Sequence, residues 1–346
     1  MRAAVLDGSP WALRVEDRWP EPSAGSGQVV VRVRGVGICG SDLALVSGRW
    51  RRPAVPWVPG HEAVGEIVAV GSGVPVSRVG QRVVVEPNIP CFTCPPCLSG
   101  LTSACTRRVS LGFNAPGALA ELIAVPDGFA WQVPDDWTDE DAVCVEPLTV
   151  ALAAIRRSVG VGLAGAVGAG VGVAAGGIAA GGVAAGLACR CLVVGAGSQG
   201  LLLCVALTAL GVTPSVTEPH PGRLELAASL GAAPLSPGSA PFDVIFETSG
   251  TAAALAGSVS QAAIGATIVL IGLTGGDIPL DAETVVRRQL RIQGSLTYDH
   301  PADFAGAITR PSPRPGRVLR ACYPLEESAQ AFRAAADVPG KTWITL

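Results

Sequence analysis

The chain of 346 residues is long enough for two domains, each with a core of its own. Apolar residues make up 49% of it and charged residues 15%, a composition that suits a globular enzyme and excludes a disordered chain. The net charge of -3, without a basic run or an arginine-rich stripe, gives no reason to expect nucleic acid or an anionic membrane surface as a partner.

The part of the chain up to about residue 150 is rich in short valine runs that glycine and proline interrupt. These runs predict strands at Gln28–Val36, Ala63–Val70 and Arg82–Val85. The opening segment, Met1–Leu6, also alternates like a strand and lacks the apolar region of a signal peptide. We therefore expect a β-rich first domain in a cytoplasmic protein.

Ten cysteines in such a chain point to metal or thiol chemistry before disulfides. Four of them follow the pattern Cys91-x2-Cys94-x2-Cys97-x7-Cys105. Four thiolates at this spacing can close a tetrahedron around Zn2+, and such a closed site stabilises a loop rather than doing chemistry. Two disulfides or unrelated thiols are the alternatives, and we favour a structural zinc.

A second set of potential zinc ligands is spread along the first domain. It comprises a cysteine, a histidine and two glutamates, in the segments Cys39-Gly40-Ser41-Asp42, Gly60-His61-Glu62 and Cys144-Val145-Glu146. A thiolate, an imidazole and one or two carboxylates suit a catalytic zinc with one open position, which binds the substrate oxygen and lowers the pKa of the alcohol. Taken singly, these residues are more often a buried thiol, a structural histidine and a helix start.

Between Arg157 and Arg190 the chain has no charged residue and consists almost wholly of Ala, Gly and Val. The length of this segment passes the usual screen for a membrane span. Gly and Ala are barely apolar, however, and Leu and Phe are nearly absent. This favours a flexible or loosely helical insert over about residues 158–189, and we expect no membrane as a partner.

From Cys191 onward, apolar strands alternate with helical stretches, which predicts a parallel, doubly wound sheet. The predicted elements are strands at Cys191–Val194, Ser215–Thr217, Phe242–Glu247 and Ala266–Gly272, and helices at Leu201–Leu210 and Arg223–Leu230.

The first of these strands runs into Gly195-x-Gly197-x-x-Gly200, which opens the next helix. In this context the glycines allow a tight turn and a close approach of a pyrophosphate to the helix N-terminus, where Ser198 and Gln199 also lie. The pattern therefore indicates a dinucleotide site. A glycine turn in an ordinary strand–helix unit is the alternative.

Glu218 follows the second strand. A carboxylate at this place accepts hydrogen bonds from the adenine ribose and repels a 2'-phosphate, which favours NAD over NADP. His220 and Arg223 lie nearby and limit this preference.

These motifs together resemble the zinc-containing medium-chain alcohol dehydrogenases, in the style of the sorbitol, threonine and cyclitol dehydrogenase branch, and the resemblance covers nearly the whole chain. It implies an α/β protein with a GroES-like β-rich catalytic domain at residues 1–150 and 296–346. A Rossmann domain would occupy residues 151–295, including the insert, and the active site would lie in the cleft between the domains.

The resemblance also implies roles for individual residues. Cys39, His61 and Glu146 would bind the catalytic zinc, with Glu62 as a further or exchanging ligand. Ser41 would relay the substrate proton, and Asp42 would orient the histidine. The cofactor would be bordered by Gly195, Gly197, Ser198, Gln199, Gly200, Glu218, Arg223 and later strand ends, at Thr248-Ser249-Gly250, Gly272-Leu273 and Gly294-Ser295.

The sequence departs from the family at three places. Ala44 stands where many relatives have a histidine, so either proton exit uses ribose, water or another group, or it is impaired. The stretch between Ala232 and Phe242 is too short for the usual strand and crossover helix, and the stretch between His300 and Arg317 is too short for the usual longer helix.

We therefore predict an enzyme of the alcohol dehydrogenase type, with two zinc ions per chain, that transfers hydride between a secondary alcohol and NAD. Its substrate would be a small alcohol or ketone of polyol, cyclitol or sugar-like type, and the protein would form a homodimer or homotetramer. One alternative is an NADPH-dependent ketone reductase of secondary metabolism. The other is a degenerate relative that binds zinc or nucleotide without turnover.

Overall fold

A computed structural model describes residues 1–51, 53–158, 189–273, 280–308 and 312–346. Nearly all of the predicted insert, residues 159–188, lies outside this described part. The chain divides into two compact units, one made of Met1–Glu146 with Arg314–Leu346 and the other of Pro147–Pro313. The domain limits drawn from the sequence at residues 150 and 296 stay a prediction.

The first unit is rich in strands. They are β1 (Ala3–Leu6), β2 (Leu13–Glu16), β3 (Gln28–Gly37), β4 (Glu62–Val70), β5 (Arg82–Val85), β6 (Asn88–Ile89), β7 (Val109–Ser110), β8 (Leu122–Pro126), β9 (Ala130–Gln132), β16 (Leu319–Pro324) and β17 (Lys341–Thr345). Its helices are α1 (Gly40–Val46), α2 (Pro95–Leu98), α3 (Asp139–Val143) and α10 (Ser328–Ala334), and helix α4 (Val145–Ser158) begins at its boundary.

Strand β3 lies at the centre of this unit. The strand order is β16-β17-β3-β4-β5-β9, and β8 also pairs with β3. Val31 and Val33 of β3 are buried, whereas Arg32 and Arg34 between and beside them are exposed, so alternation places one face on the core. The three strands predicted in this part of the chain are confirmed.

The second unit holds a six-stranded sheet with helices in the connections. Its elements are β10 (Cys191–Val194), α5 (Ser198–Ala209), β11 (Ser215–Thr217), α6 (Pro221–Ser229), β12 (Ala233–Pro234), β13 (Phe242–Glu247), α7 (Ala252–Gln261), β14 (Ala262–Leu270), α8 (Ala282–Arg287), β15 (Arg291–Gly294) and α9 (Ala302–Ile308). The order β12-β11-β10-β13-β14-β15 with all pairs parallel is that of a doubly wound dinucleotide-binding sheet. The predicted fold class is confirmed.

In both regions predicted to be short, the secondary-structure elements are short or missing. The expected strand after Ala232 is present as the two-residue β12, and residues 235–241 contain no helix. Near His300, α9 spans seven residues, and the adjoining residues 309–311 are outside the described part. Among the described residues, no helix is both long and apolar enough to cross a membrane.

The core of the second unit generates a first prediction. Ile245 of β13 is fully buried in an apolar cluster, whereas Ile264 of β14 is 78% exposed. Ile245→Ala leaves a cavity and should lower the free energy of unfolding by about 2–5 kcal/mol. The matched control Ile264→Ala should change it by less than about 0.5 kcal/mol. Urea unfolding followed by circular dichroism measures both, and equal losses would contradict this assignment of the core.

Candidate active site

Antiparallel pairing of β3 and β4 brings the first group of predicted ligands together. Gly37 and Glu62 are paired across the two strands, so Cys39, just after β3, and His61, just before β4, lie at the same end of the sheet. The ligand atoms of Cys39, His61 and Glu62 all lie within 4.8 Å of one another. A thiol, an imidazole and a carboxylate this close form a donor set that fits zinc.

Asp42 links two of these ligands. Its Oδ2 accepts a hydrogen bond of 3.0 Å from the backbone N–H of Cys39, and its Oδ1 lies 3.1 Å from His61 Nδ1. Burial lowers the pKa of His61, but the charge of Asp42 more than offsets this and raises it well above its usual value. Because Asp42 engages Nδ1, the other ring nitrogen is the one available to a metal.

Glu62 is fully buried and forms an ion pair with Lys341 of β17, which is also buried. The Lys341 ammonium in addition donates a hydrogen bond of 3.1 Å to the carbonyl oxygen of Ile38. Burial lowers the pKa of Lys341, but the charge of Glu62 outweighs this and raises the pKa above its usual value. Lys341 is therefore a cation beside a predicted zinc ligand.

The other predicted residues of this site lie on two helices. Ser41 is in the first turn of α1, and Ala44 is buried in the same helix. Glu146 is buried in the first turn of α4 and is not in the group formed by Cys39, His61 and Glu62. The part of Glu146 in zinc binding stays a prediction.

The cysteine lobe gathers its four thiols around one point. Cys94 Sγ lies 3.4 Å from Cys97 Sγ and 3.9 Å from Cys105 Sγ, and the Cys91 thiol lies within the same group. Tetrahedral ligands with zinc–sulfur bonds of about 2.3 Å are about 3.8 Å apart. Bonded sulfurs would be about 2.05 Å apart, so these distances fit one metal ion and no disulfide.

The electrostatics of the lobe favour the same interpretation. Hydrogen bonds from Thr93 lower the pKa of Cys91 to about 5. Burial and the neighbouring thiols, that of Cys94 first, raise the pKa of Cys97 to about 12. Hydrogen bonds among the thiols thus favour ionisation of one and disfavour ionisation of the next, and a divalent cation bound among them would stabilise all four as thiolates.

The glycine motif forms the turn from β10 into α5. Gly195 has a φ of 92°, and Gly197 is the N-cap of α5 with Ser198 as its first residue. A Cβ atom on Gly200 would lie 1.9 Å from the Gly195 carbonyl oxygen, so only glycine allows this close approach of helix and turn. Gln199 donates a hydrogen bond of 3.2 Å to the carbonyl of Pro147.

The carboxylate of Glu218 lies against this turn. Its Oε2 accepts a hydrogen bond of 2.7 Å from the Ala196 N–H, and its Oε1 accepts one of 2.9 Å from the His220 N–H. Arg223 is in the first turn of α6, for which His220 is the N-cap. The acid thus lies directly after β11 and next to the phosphate-binding turn, the place where a ribose is recognised in such sheets.

The remaining cofactor residues lie at the carboxyl ends of neighbouring parallel strands. Thr248 Oγ1 donates to the carbonyls of Val194 and Gly195, each at 3.0 Å. Gly272 packs on Gly250 and precedes Leu273, and the Ser295 N–H donates a hydrogen bond of 2.9 Å to Leu270. Ligands bind at such strand ends, and contact of these residues with a cofactor stays a prediction.

Comparison with known proteins supplies the family. Residues 25–135 match the alcohol dehydrogenase GroES-like domain, and residues 200–311 match the zinc-binding dehydrogenase domain. Sorbitol dehydrogenase of Bacillus subtilis is 30% identical over 318 residues, which are 86% of this chain and 82% of that protein. The chain belongs to the zinc-type medium-chain alcohol dehydrogenase family.

Two further relatives of this alcohol dehydrogenase agree. L-threonine 3-dehydrogenase of Chelativorans sp. is 30% identical over 312 residues, 85% of this chain and 83% of that one. The solved structure of rspB, an alcohol dehydrogenase from Escherichia coli CFT073 in complex with NADH, has a TM-score of 0.82 and 26% identity, with 100% of this chain and 99% of that chain covered.

The protein is accordingly a zinc-dependent oxidoreductase that uses a nicotinamide cofactor, NAD(P), to transfer hydride to and from a secondary alcohol. Its partners are a small-molecule alcohol and the nucleotide. The relatives favour neither the ketone reductase of secondary metabolism nor the degenerate binding protein as an alternative.

Sequence reasoning missed two residues of the alcohol dehydrogenase that touch the ligand group. The ring centroids of Phe113 and His61 are 5.0 Å apart, and nothing in the sequence around Phe113 indicated this contact. Lys341 left no clear signal either, because three of the five residues in Lys341–Thr345 are polar and the sequence does not show that this lysine is buried.

The buried ion pair of the alcohol dehydrogenase generates a second prediction. Lys341→Met leaves Glu62 buried and unpaired, so without metal it should lower the free energy of unfolding by about 3–5 kcal/mol. Arg287→Met, which breaks the exposed pair with Glu283, is the control and should cost less than about 1 kcal/mol. Urea unfolding of metal-depleted protein measures both. A loss from Lys341→Met as small as that of the control would show that the pair is not buried as described.

Proposed function

We propose that this chain oxidises a secondary alcohol of polyol, cyclitol or sugar-like type with NAD, reversibly, at a zinc site held by Cys39, His61 and Glu62. The observation that carries the proposal is the convergence of these three ligand atoms within 4.8 Å of one another. The sorbitol dehydrogenase relative supports the polyol class. The family resemblance implies Glu146 as the third ligand and Glu62 as a further or exchanging one; because Glu62 lies with Cys39 and His61, we propose the reverse, with Glu146 as the exchanging ligand.

Each residue has a separate task in this proposal. Zinc at this site would polarise the substrate oxygen and lower the pKa of the alcohol, and NAD would serve as the hydride acceptor. Asp42 holds His61 in one orientation through Nδ1 and holds the Cys39 backbone through its N–H. The Ser41 hydroxyl would take the substrate proton. Because Ala44 cannot accept this proton, a group other than the side chain at position 44 would have to pass it on.

A second zinc is proposed at Cys91, Cys94, Cys97 and Cys105, where it stabilises the loop around α2. Ligand sulfurs 3.4 and 3.9 Å apart support this. All ten cysteines are free, which suits a reducing compartment, and we propose the cytoplasm. We further propose a homodimer or homotetramer, which the exposed residues of the edge strand β15 support.

The two zinc sites generate a third prediction. Metal analysis should find two zinc ions per wild-type chain and one in each of the variants Cys39→Ala and Cys94→Ser. Cys39→Ala should abolish oxidation of sorbitol or a related polyol, because the polarising ion is lost, but should keep the lobe folded. The main effect of Cys94→Ser should be a lower melting temperature, because the lobe loses its zinc. A single zinc in the wild type that only Cys94→Ser removes, with no turnover of any polyol, would favour a non-catalytic relative.

Cofactor choice generates a fourth prediction. The wild type should bind NADH more tightly than NADPH, because Glu218 accepts from the ribose and repels a 2'-phosphate. Glu218→Ser should weaken NADH binding about tenfold, in line with the loss of one hydrogen bond to a charged group. Glu225→Ser, in the exposed part of α6, is the control and should leave the affinity unchanged. Tight binding of NADPH alone by the wild type would overturn the role of Glu218.

A further inference from the structure

One arginine at the end of α4 holds the loop that follows β15. Arg157 Nη1 donates hydrogen bonds to Ser295 Oγ at 2.9 Å, to the Leu296 carbonyl at 3.1 Å and to the Thr297 carbonyl at 3.0 Å. Its Nη2 lies 3.2 Å from Asp299 Oδ2. A single guanidinium therefore spans four of the five residues from 295 to 299.

The contact between Arg157 and this loop is buried and consists of several hydrogen bonds, so it differs from a surface ion pair. The Arg157 side chain is only 9% exposed, and guanidinium is planar with several donors in a fixed fork. Thr297 has a φ of 46°, a conformation that favours glycine, so the loop needs outside contacts to keep this shape. Arg157 supplies them through the carbonyl groups of Leu296 and Thr297, which lie on either side of the Thr297 Cα atom.

The neighbouring arginine shares Asp299 Oδ2 with Arg157 and otherwise contacts a different acid. Arg156 donates to the carboxylates of Asp303, at 2.7 Å from both of its oxygens, and of Asp299, at 2.8 Å. Both of these acids lie beyond residues 295–297. The two adjacent arginines thus both contact Asp299 but have different roles. Arg157 donates hydrogen bonds to the loop backbone, and Arg156 connects α4 to the start of α9.

The loop begins where the cofactor of a doubly wound sheet is recognised. Ser295 directly follows β15, and its N–H is bonded to Leu270 at the end of β14. The carboxyl ends of parallel strands are the ligand-binding edge of such a sheet. A displaced Ser295–Thr297 backbone would therefore change the shape of that edge without removing any group that a cofactor touches.

We propose that Arg157 is a positioning residue for the nicotinamide cofactor, acting through residues 295–297. The inference rests on the proposed function, in which Ser295 borders the cofactor. Replacing Arg157 should weaken cofactor binding by more than any loss of protein stability explains. Replacing Arg156 should not have this effect.

Arg157→Gln and Arg156→Gln are a matched pair, since each removes one cation from the same helix turn. We expect Arg157→Gln to raise the Kd of NADH, measured by fluorescence titration of the zinc-loaded protein, about tenfold. Arg156→Gln should change it less than about twofold while lowering the melting temperature as much or more. Zinc content should equal that of the wild type in both. Arg157→Lys keeps the charge without the fork, so its Kd should fall between those of Arg157→Gln and the wild type.

The outcomes separate the inference from the function on which it rests. A wild type that does not bind NADH overturns the proposed function and the inference with it. A wild type that binds NADH, with Arg157→Gln unchanged or with both glutamine variants equally weakened, overturns the inference alone. If Arg157→Gln does not fold, Arg157→Lys decides: a Kd equal to that of the wild type overturns the inference, and a weaker one with unaltered zinc content supports it.

Discussion

A lysine and a glutamate that are both shielded from water fix the geometry of the first unit. Lys341 and Glu62 belong to strands on opposite sides of β3, and Gly37 of β3 pairs with Glu62 in one direction and with Trp343 in the other. Either charge alone would be strongly unfavourable in the core. The pair therefore tolerates only one register, because a slip of one residue in either strand would turn a charge to the opposite face.

That register determines where the predicted ligands of the catalytic zinc lie. Cys39 and His61 are attached to the ends of β3 and β4, so the strand pairing that joins Glu62 to Lys341 also sets the distance between the thiol and the imidazole. Asp42 then removes the remaining freedom by holding the Cys39 backbone and the His61 ring together. Helix α1 begins at Gly40, and one carboxylate, that of Asp42, both caps this helix through Oδ2 and contacts the predicted ligand His61 through Oδ1.

Local patterns were sufficient to predict most of the fold and to single out the side chains that the structure gathers into two potential metal sites. The cysteine spacing and the glycine motif are short-range signals, and strand positions such as Arg82–Val85 follow from composition alone. Lys341, Phe113 and Arg157 could not be assigned a role in advance, because each acts across a long stretch of chain. The choice between Glu62 and Glu146 is of the same kind, since only strand pairing determines which carboxylate approaches Cys39 and His61.

The separation between Lys341 and its partners has a consequence for synthesis of the protein. Lys341 and the carbonyl group of Ile38 that it contacts are 303 residues apart. Because a ribosome releases the chain from its N-terminus, the whole six-stranded sheet emerges before β17 does, and domains fold as they emerge. The nascent chain therefore carries Glu62 without its counter-ion until β17 has been synthesised. A product terminated before β17 would lose that strand and also leave an uncompensated charge in the core, a defect that quality-control proteases recognise through the unfolding it causes.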